Sequence, residues 1–361
     1  MKPHLWLRAE NKALEKRTPL TPDNAGQLLQ AGFEISVESS SQRIFEDSVY
    51  ADAGCNIVAG ESWQHAPAGA IILGLKELPE SVDPISHRHI YFAHAYKYQQ
   101  GWQAILRRFR DGGGSLLDIE FLTDADGRRV AAFGFWAGFA GAAVAVKNWC
   151  HQQRQPGEPM PAVTDYADKA ALIEELGNEL RAVDTSVPPR VMVIGARGRS
   201  GSGAVQLARE LGLPTTGWDL EETRAGGPFR EILAHEIFIN CVLVFDAVPP
   251  FLTEETLQDE RILSVISDVS CDPYGNYNPL PIYRDCTTFN EPGRRLRHDP
   301  VLDLIAIDHL PSMLPRESSE DFSDLLLPSL FRLGDTGKSE WSRAEEIFND
   351  KLAEINSATK T

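Results

Sequence analysis

The chain has 361 residues, of which 42% are hydrophobic, so it is long enough for two domains with separate cores. Its formal net charge of -17 argues against the basic surface that a nucleic-acid-binding protein needs. The five cysteines are scattered without CxxC spacing, which is typical of reduced thiols and not of a disulfide framework or a metal site. Charged residues follow the start of the chain directly, so we expect no signal peptide and a cytoplasmic protein.

The first third of the chain alternates apolar runs with amphipathic segments. Strands are predicted in HLWLRAE, FEISVES, IILG, HIYFAHA and SLLDIEFL. Helices are predicted in TPDNAGQLLQAG, YADAG and GWQAILRRFRDGGG, the first beginning at Thr21 and Pro22. This alternation predicts a doubly wound α/β sheet.

The segment AAFGFWAGFAGAAVAV, residues 131–146, is uniformly apolar and rich in small residues. It is shorter than the ~20 residues that a transmembrane helix needs, so a membrane span is the less favoured alternative. We expect a buried helix at a junction between domains, with Gly134, Gly138 and Gly141 allowing another backbone to approach closely.

The second half of the chain follows the polar, proline-rich connection QRQPGEPMPAV. A new series of strands begins at VMVIG and continues in TTGWDL, HEIFINCVLVF, RILSVISDVS and LDLIAIDHLP. Two amphipathic segments, SDLLLPSLFRLG and WSRAEEIFNDKLAEI, are predicted to end the chain as helices.

A glycine-rich loop, GARGRSG, lies between the predicted strand VMVIG and a helix. Gly195 allows a sharp turn, and Gly198 and Gly201 let backbone N–H groups approach a pyrophosphate at the start of the helix. The next strand ends in Asp219, near the ~20-residue spacing at which an acid binds the adenosine ribose. The alternative is that these glycines only permit tight packing between strand and helix.

The acidic residues around the end of TTGWDL favour NAD over NADP. Asp219, Glu221 and Glu222 would repel a 2′-phosphate, whereas Arg199 and Arg224 would attract one.

A lysine and a histidine lie at the ends of two successive apolar runs, IILG and HIYFAHA. Lys76 lies in GLKE and His94 in FAHAYK. Because ligands of open α/β sheets bind beyond the strand ends, both side chains are expected in one pocket, where they could exchange protons with a substrate. Taken singly, Lys76 beside Glu77 can be a simple ion pair and His94 a hydrogen-bonded core residue.

Four cations near the predicted strand ends are candidate carboxylate-binding groups: Lys12, Arg17, Arg128 and Arg129. Arginine forms bidentate hydrogen bonds with carboxylates, so a substrate with several carboxylates would explain these four cations. Each arginine alone can also be a solvated surface charge.

In chain order, the segments LTP, GLKE, FAHAYK, GRRVAAFGF, GARGRSGSG, GGPF, FINC, DVS, NPLPIY and IDHLP cover nearly the whole sequence. Together they resemble the NAD-dependent, lysine-forming saccharopine dehydrogenases of the fungal α-aminoadipate pathway. They are similar, more distantly, to alanine dehydrogenase and transhydrogenase. The resemblance implies a monomer with an α/β fold of two Rossmann-like, doubly wound domains and an active site in the cleft between them. The substrate-side domain is expected at residues 1–132 plus 316–361, and the NAD-binding domain at residues 133–315.

The resemblance also implies roles for individual residues, with Lys76 as the proton acceptor and His94 as its acid–base partner. The expected substrate-binding residues are Lys12, Arg17, Glu77, Gln99, Glu120, Arg129, Phe133, Ser270, Cys271 and Asp272. The expected cofactor-binding residues are Arg128, Gly195, Gly198, Arg199, Gly201, Asp219, Thr223, Leu243, Val269, Ile307, Asp308, His309 and Leu310. No metal is implied. In the fungal family a cysteine of the glycine loop can pair with the cysteine of FINC; here that loop position is Ser200, so Cys241 lacks this partner.

The implied reaction is the NAD-dependent oxidation of saccharopine to L-lysine and 2-oxoglutarate, with small-molecule substrates and neither a nucleic-acid nor a membrane partner. Two alternatives stay open. The same scaffold could act on the imine of another amine and 2-oxo acid, as other opine dehydrogenases do, or it could be a sensor that binds NAD without turnover. Lys76 and His94 favour an enzyme, because binding alone does not require them.

Overall fold

A computed structural model describes residues 3–99, 101–183, 185, 187–242, 244, 248–275, 277–335, 337 and 339–358. The chain forms two compact units, Met1–Ala132 with Arg316–Thr361, and Phe133–Pro315. Each unit contains one six-stranded sheet.

The first unit is a doubly wound parallel sheet. Its elements up to residue 118 are β1 (His4–Leu7), α1 (Pro22–Gln30), β2 (Glu34–Glu38), α2 (Asp47–Asp52), β3 (Asn56–Val58), β4 (Ala70–Leu73), β5 (Arg88–Tyr91), α3 (Trp102–Gly112) and β6 (Ser115–Asp118). The strands pair in parallel in the order β3-β2-β1-β4-β5-β6. The predicted α/β class is therefore confirmed. The short edge strand β3 was not predicted, because three residues are too few to show an alternating pattern.

Local sequence signals explain where the helices of this unit begin and end. The Thr21 hydroxyl accepts a hydrogen bond from the Asn24 N–H, and Pro22 occupies the first turn of α1. Helix α3 buries Leu106 and Phe109, and it ends at Gly113, whose φ of 74° is in the left-handed region.

Several strands of the first unit are shorter than predicted, among them β1, which ends at Leu7 within the predicted strand HLWLRAE. The run HIYFAHA was expected to be a strand throughout, but β5 ends at Tyr91 and His94 lies beyond it with a φ of 51°. Beyond the strand, Phe92, Ala93 and His94 are half-buried and Ala95 is buried, so the apolar run marks contact with the core and not an extended backbone throughout. Similarly, β6 ends at Asp118, and Ile119–Phe121 forms a turn of 3₁₀ helix.

The second unit begins with α4 (Gly134–Arg154). It continues with α5 (Lys169–Ala182), β7 (Val191–Ile194), α6 (Arg199–Glu210), β8 (Thr215–Trp218), α7 (Leu220–Thr223), β9 (Ile237–Asn240), β10 (Val265–Asp268), β11 (Arg294–His298) and β12 (Val301–Ile305). The sheet order is β11-β12-β10-β9-β7-β8, with β11 antiparallel to β12 and the other neighbouring pairs parallel. The helix α5 and the edge strand β11 were not predicted. The sequence of β11, RRLRH, is mostly basic and lacks the apolar alternation used to assign strands.

Helix α4 contains the apolar segment that raised the membrane alternative. It is longer than that segment, and its residues from Gly138 to Val146 are buried in the core of the second unit. The predicted buried helix is therefore confirmed. Among the described residues, no helix is long and apolar enough to cross a bilayer.

The glycines of α4 allow close packing against α6. A Cβ atom built at Gly138 would lie 1.7 Å from the Ser200 carbonyl oxygen, and one built at Gly203 would lie 1.9 Å from the Phe135 carbonyl oxygen. The two helices therefore approach closely because each has a glycine where they meet. At Gly134 and Gly141 the nearest atoms belong to side chains, so the predicted close backbone contact is right for Gly138 only.

The chain ends with α8 (Pro315–Leu330) and α9 (Glu340–Ala358), which confirms both predicted terminal helices. Helix α9 packs beside α3 and β6 of the first unit. The rings of Phe348 and Phe109 make an edge-to-face contact there, with centroids 6.0 Å apart.

Candidate active site

The carboxyl ends of adjacent strands in the first unit carry the residues predicted for catalysis. Lys76 and Glu77 follow β4, His94 follows β5 and Glu120 follows β6. Backbone hydrogen bonds from Gly74 to Ile90 (2.9 Å) and from Phe92 to Leu75 (3.1 Å) continue the pairing beyond the strand ends. These segments therefore lie side by side at the edge where open α/β sheets bind ligands.

His94 and Glu77 form a hydrogen-bonded pair. His94 Nδ1 lies 2.5 Å from Glu77 Oε1, and the two side chains are 40% and 41% exposed. The hydrogen bond from His94 lowers the pKa of Glu77 to about 2. The same hydrogen bond raises the pKa of His94. Because Glu77 is then ionised at neutral pH, His94 Nδ1 carries the donated hydrogen and Nε2 is left to exchange a proton.

Lys76 lies in an environment that favours its neutral amine. Burial lowers its pKa, and the cations of Arg17 and Lys12 act in the same direction. Glu15 and Glu77 oppose this shift without cancelling it. No described residue forms a hydrogen bond with its Nζ atom or a salt bridge with it, so the Lys76–Glu77 pair considered as an alternative is not formed.

The backbone at Lys76 is held by two residues that sequence reasoning missed. The Glu10 carboxylate accepts hydrogen bonds from the N–H groups of Leu75 (2.7 Å) and Lys76 (2.9 Å). The Arg8 guanidinium donates to the Lys76 carbonyl oxygen and lies 3.3 Å from Glu10 Oε2. Arg8 and Glu10 follow β1, which is the neighbour of β4 in the sheet.

Gly74 of the GLKE segment is required by this arrangement. A Cβ atom built at Gly74 would lie 2.2 Å from Nε of the fully buried Arg8. Any larger residue would therefore displace Arg8. One feature of the sequence could have identified Arg8 and Glu10. They belong to the segment RAE, in which charged residues directly follow the buried run of the first predicted strand.

Arg17 is a buried ion pair and not a solvated surface charge. Its side chain is 3% exposed, and its Nε and Nη2 atoms lie 2.7 and 2.6 Å from the two oxygens of Glu15. Burial acts to raise the pKa of Glu15, but Arg17 and Lys76 outweigh it and hold the pKa below its usual range. Glu15 was missed by sequence reasoning. It fixes the Arg17 guanidinium beside Lys76.

Glu120, at the end of β6, is bound to another residue that was not predicted, Lys97. The Lys97 ammonium pairs with Glu120 Oε1, and the Glu120 side chain is 15% exposed. The charge of Glu120 contributes to raising the pKa of His94. The neighbouring Asp118 is buried, which raises its pKa to about 6.

A cavity of about 920 Å³ lies in the first unit beside His94. Its lining includes Glu77, His94 and Gln99, together with Leu78, Trp102 and Ile105. Lys76 does not line this cavity. Of the predicted site residues, the cavity is lined by Glu77, His94 and Gln99.

The other candidate cations of the first unit are exposed. Arg128 and Arg129 follow the turn that begins at Asp124, whose carboxylate accepts a hydrogen bond from the Arg128 N–H (2.9 Å). Lys12 is also exposed, although its charge contributes to lowering the pKa of Glu77 and of Lys76.

The glycine loop of the second unit connects β7 to α6. Gly195 has a φ of 84°, and a Cβ atom built at Gly201 would lie 1.9 Å from the Gly195 carbonyl oxygen. Gly198 precedes α6 as its N-cap and has no side chain to cap the helix. The first N–H groups of α6 are therefore available to an anion. The absence of a side chain at Gly201 also permits tight packing between the helix and the end of the strand, which was the alternative explanation for these glycines.

Asp219 connects the end of β8 to this loop. Its carboxylate accepts hydrogen bonds from the N–H groups of Arg197 and Leu220, each at 2.9 Å. Thr223 donates to the Asp219 carbonyl oxygen at 2.8 Å, and Arg199 is the first residue of α6. An uncapped helix N-terminus beside an acidic residue fits the pyrophosphate and the ribose diol of NAD.

The predicted segment 270–272 lies directly after β10. Ser270 Oγ donates to Asp268 Oδ1 at 2.6 Å, and the same oxygen accepts from Asn240 Nδ2 at 2.9 Å. Tyr283 donates to the other Asp268 oxygen at 2.6 Å. Asp268, Asn240 and Tyr283 were not predicted, and they hold the start of this segment. Cys271 has a φ of 46°, in the left-handed region.

The remaining cofactor candidates lie after β10 and β12. Val269 and Leu310 meet at Gly141 of α4, where a Cβ atom would lie 2.6 and 3.2 Å from their side chains. Ile307 is buried and Asp308 is exposed. His309 stacks on Phe289 with centroids 4.6 Å apart.

Phe133 and Leu243 are the two remaining predicted site residues. Phe133 is the half-buried N-cap of α4. Leu243 lies outside the described residues. Within the described parts of the chain, no group of three His, Cys, Asp or Glu side chains could hold a metal ion.

Comparisons with known proteins identify relatives along the whole sequence. Residues 6–140 match the family model of the N-terminal domain of alanine dehydrogenase and PNT. The chain is 49% identical to saccharopine dehydrogenase [NAD(+), L-lysine-forming] of Emericella nidulans, with 97% of this chain and 98% of that protein covered. The enzymes of the same name from Yarrowia lipolytica (48% identical, 97% and 98% covered) and Schizosaccharomyces pombe (46% identical, 98% and 99% covered) are also similar.

Solved structures share the fold at low sequence identity. An L-alanine dehydrogenase has a TM-score of 0.66 and 15% identity, with 96% of this chain and 93% of that chain covered. The transhydrogenase of Sinorhizobium meliloti has a TM-score of 0.61 and 14% identity, with 91% and 94% covered. These similarities support the two Rossmann-like sheets.

Proposed function

The chain belongs to the NAD-dependent, L-lysine-forming saccharopine dehydrogenases, and we propose that it oxidises saccharopine to L-lysine and 2-oxoglutarate with Lys76 and His94 as its acid–base residues. It is thus an NAD-dependent oxidoreductase that acts on a CH–NH bond. The observation that supports the assignment of the two residues is a half-buried lysine of lowered pKa, next in the chain to the glutamate of a His–Glu pair at one sheet edge.

Lys76 is proposed to remove the proton from the secondary amine of saccharopine. The amine nitrogen must be neutral so that its lone pair can assist the loss of hydride from the adjacent carbon. A lysine can accept that proton only as a neutral amine, and the burial of Lys76 favours this form. Glu10 and Arg8 keep the Lys76 backbone in place during the transfer.

The second unit is proposed to hold NAD, whose bound nicotinamide accepts the hydride. The pyrophosphate is assigned to the glycine loop and the start of α6, and the ribose to Asp219. The further residues that we assign to NAD are Arg128, Arg199, Thr223, Val269, Ile307, Asp308, His309 and Leu310.

His94 is proposed to activate the water that attacks the substrate imine. Its Nδ1 hydrogen is donated to Glu77, so Nε2 takes the proton from water. Breakdown of the carbinolamine then needs a proton on the departing lysine nitrogen, which Lys76 or His94 returns.

Arg17 and Arg129 are proposed to bind substrate carboxylates, with Lys12 nearby. Glu15 holds the Arg17 guanidinium in one orientation, so less conformational entropy is lost when a carboxylate binds. The other residues that we assign to the substrate are Glu77, Gln99, Glu120, Phe133, Ser270, Cys271 and Asp272. A monomeric, cytoplasmic protein is part of the same proposal.

The test is a spectrophotometric scan of NADH oxidation with 2-oxoglutarate and a panel of amines. We expect oxidation only when lysine and 2-oxoglutarate are both present, and a rate roughly 10²-fold lower for the Lys76→Met variant under the same conditions. Turnover with a different amine but not with lysine would make the chain another opine dehydrogenase. NADH binding without turnover of any amine would make it a sensor.

A further inference from the structure

Two cysteine side chains of the second unit lie in direct contact. Cys271 Sγ is 3.1 Å from Cys286 Sγ, and both cysteines are free thiols and half-buried. Cys271 Sγ also lies 3.1 Å from the Ala306 carbonyl oxygen. A disulfide bond has a length of about 2.05 Å, so the two sulfur atoms need to approach each other by only about 1 Å to form one.

The chain around both cysteines is fixed by neighbouring hydrogen bonds. Thr287, next to Cys286, donates its N–H to the Ala306 carbonyl oxygen at 2.7 Å, and its hydroxyl accepts from the Ala306 N–H at 2.9 Å. Ser270, next to Cys271, is bound to Asp268. Ala306 therefore contacts the Cys271 thiol and binds Thr287 beside Cys286, which holds the two cysteines next to each other.

Cys286 is the thiol that a small oxidant can reach. It lines a cavity of about 470 Å³ together with Met160, Thr287 and Asn290. Burial raises the pKa of the Cys271 thiol, which makes this sulfur the poorer first nucleophile. Because Cys286 lines this cavity and Cys271 does not, Cys286 is expected to react first and Cys271 to act as the resolving thiol.

We propose that Cys271 and Cys286 are a redox-modification site that hydrogen peroxide converts to a disulfide, slowing the dehydrogenase. Cys286 Sγ attacks one peroxide oxygen, the O–O bond breaks, and water leaves as Cys286 sulfenic acid forms. Cys271 Sγ then attacks the Cys286 sulfur, and its proton leaves with the hydroxyl group as a second water. The two thiols lose two electrons, which reduce one peroxide to two waters.

The effect on turnover rests on the proposed function, which places the segment 270–272 against the substrate. Closing the disulfide draws Cys271 towards Cys286 and removes its thiol hydrogen from Ala306, the residue before the cofactor candidate Ile307. A displacement of about 1 Å in a catalytic site can cost ~10²-fold in rate. A loss of roughly 10-fold or more is therefore expected in the crosslinked enzyme.

The experiment treats the whole protein with a small excess of hydrogen peroxide, blocks the remaining thiols with iodoacetamide, and maps the unreduced peptides by mass spectrometry. The expected product is one crosslinked peptide pair containing Cys271 and Cys286, reversed by dithiothreitol together with the loss of turnover. The Cys286→Ser variant should keep its turnover after peroxide treatment. The Cys55→Ser variant, altered at a buried thiol of the first unit, should stay as sensitive as the wild type.

Intact or separately oxidised thiols at the two positions would overturn the proposal, as would full turnover of a protein mapped as crosslinked. The peptide map obtained by mass spectrometry can be measured on the wild-type protein whether or not it turns over saccharopine. A protein inactive with saccharopine would therefore contradict the proposed reaction, while mass spectrometry would still decide whether the dithiol is oxidised to the disulfide.

Discussion

At the residue scale, Lys76 and His94 reach their protonation states by different physical routes. Burial lowers the pKa of Lys76, whereas a hydrogen bond to Glu77 raises the pKa of His94. The two pKa values therefore move towards each other from their ordinary values of 10.5 and 6.5. Two groups whose pKa values are closer together can more readily exchange protons with the same substrate.

Removing either group should lower turnover without affecting cofactor binding. We expect Lys76→Met and His94→Gln each to reduce kcat by roughly 10²-fold, the usual range for an acid–base residue. The double variant should lose less than the product of the two effects, because one group can partly replace the other. NADH affinity, measured by fluorescence titration, should be nearly unchanged because the glycine loop lies in the other unit. Wild-type turnover in Lys76→Met would remove this lysine from the mechanism.

The His94–Glu77 pair makes a prediction about pH. Replacing the Glu77 carboxylate by the neutral amide in Glu77→Gln should lower the pKa of His94, because the hydrogen-bonded anion that favours the imidazolium is lost. His94 then stays a neutral base to a lower pH. NMR titration of the His94 ring proton measures this directly. Glu80→Gln, at an exposed position of the same segment, is the matched control and should leave the titration unchanged. An equal or higher pKa in Glu77→Gln would contradict the role of this hydrogen bond.

The support of the Lys76 backbone by Glu10 can be tested separately. Glu10→Gln retains the side-chain shape but replaces one acceptor oxygen by a donor, which leaves one of the Leu75 and Lys76 N–H groups unsatisfied. We expect a loss of about 1–3 kcal/mol in the free energy of unfolding, measured by urea titration. Turnover should fall on the order of 10-fold. The exposed carboxylate of Glu34 provides the control variant Glu34→Gln, which should change neither quantity. Unchanged turnover in Glu10→Gln would show that Glu10 does not position the lysine.

Sequence reasoning found Lys76 and His94 because both follow apolar runs that read as strands. It missed Arg8 and Glu10, because each acts through a partner that chain order does not reveal. Arg8 and Glu10 reach Lys76 across β1 and β4, strands that are adjacent in the sheet but separated by two strands in the sequence. A single sequence does not encode this pairing in its periodicity.

At the scale of elements, the contact between α4 and α6 determines how the glycine loop is presented. Gly138 and Gly203 allow the two helices to approach to a distance that no side chain permits. Because α6 begins at the glycine loop, a shift of this helix would move the N–H groups proposed to bind the pyrophosphate.

Gly138→Ala should therefore destabilise the second unit. The added Cβ atom would lie 1.7 Å from the Ser200 oxygen, so the helices must separate. Overpacking of this kind costs typically ~1–3 kcal/mol, which we expect as a lower temperature of thermal unfolding. In Gly157→Ala a Cβ atom meets nothing within 4 Å, so this variant is the control and should unfold as the wild type does. An unaltered unfolding temperature in Gly138→Ala would contradict the close packing.

Most helices and central strands could be predicted from the sequence, because apolar periodicity and caps such as Thr21 mark them locally. The errors have distinct causes. The run HIYFAHA continues for four residues beyond the end of β5, and those residues are partly buried without being extended. The edge strands β3 and β11 are too short or too charged to alternate. Periodicity detects burial, and it assigns strands correctly only where burial and extension coincide.

At the scale of the whole molecule, the residues proposed to move protons and the loop proposed to bind NAD belong to different compact units. The chain returns to the first unit through α8 and α9, a long-range contact that hydrophobic periodicity does not encode. Fold and cofactor are thus better determined by the whole-chain similarity to relatives than by any one motif.

The most direct test of the central claim is the stoichiometry of saccharopine oxidation by the purified protein. Incubation with saccharopine and NAD should yield NADH, L-lysine and 2-oxoglutarate in equal amounts, with NADH followed by absorbance and the two other products by mass spectrometry. Glutamate in place of lysine, or no NADH from saccharopine under conditions where NADH binds the protein, would contradict the account.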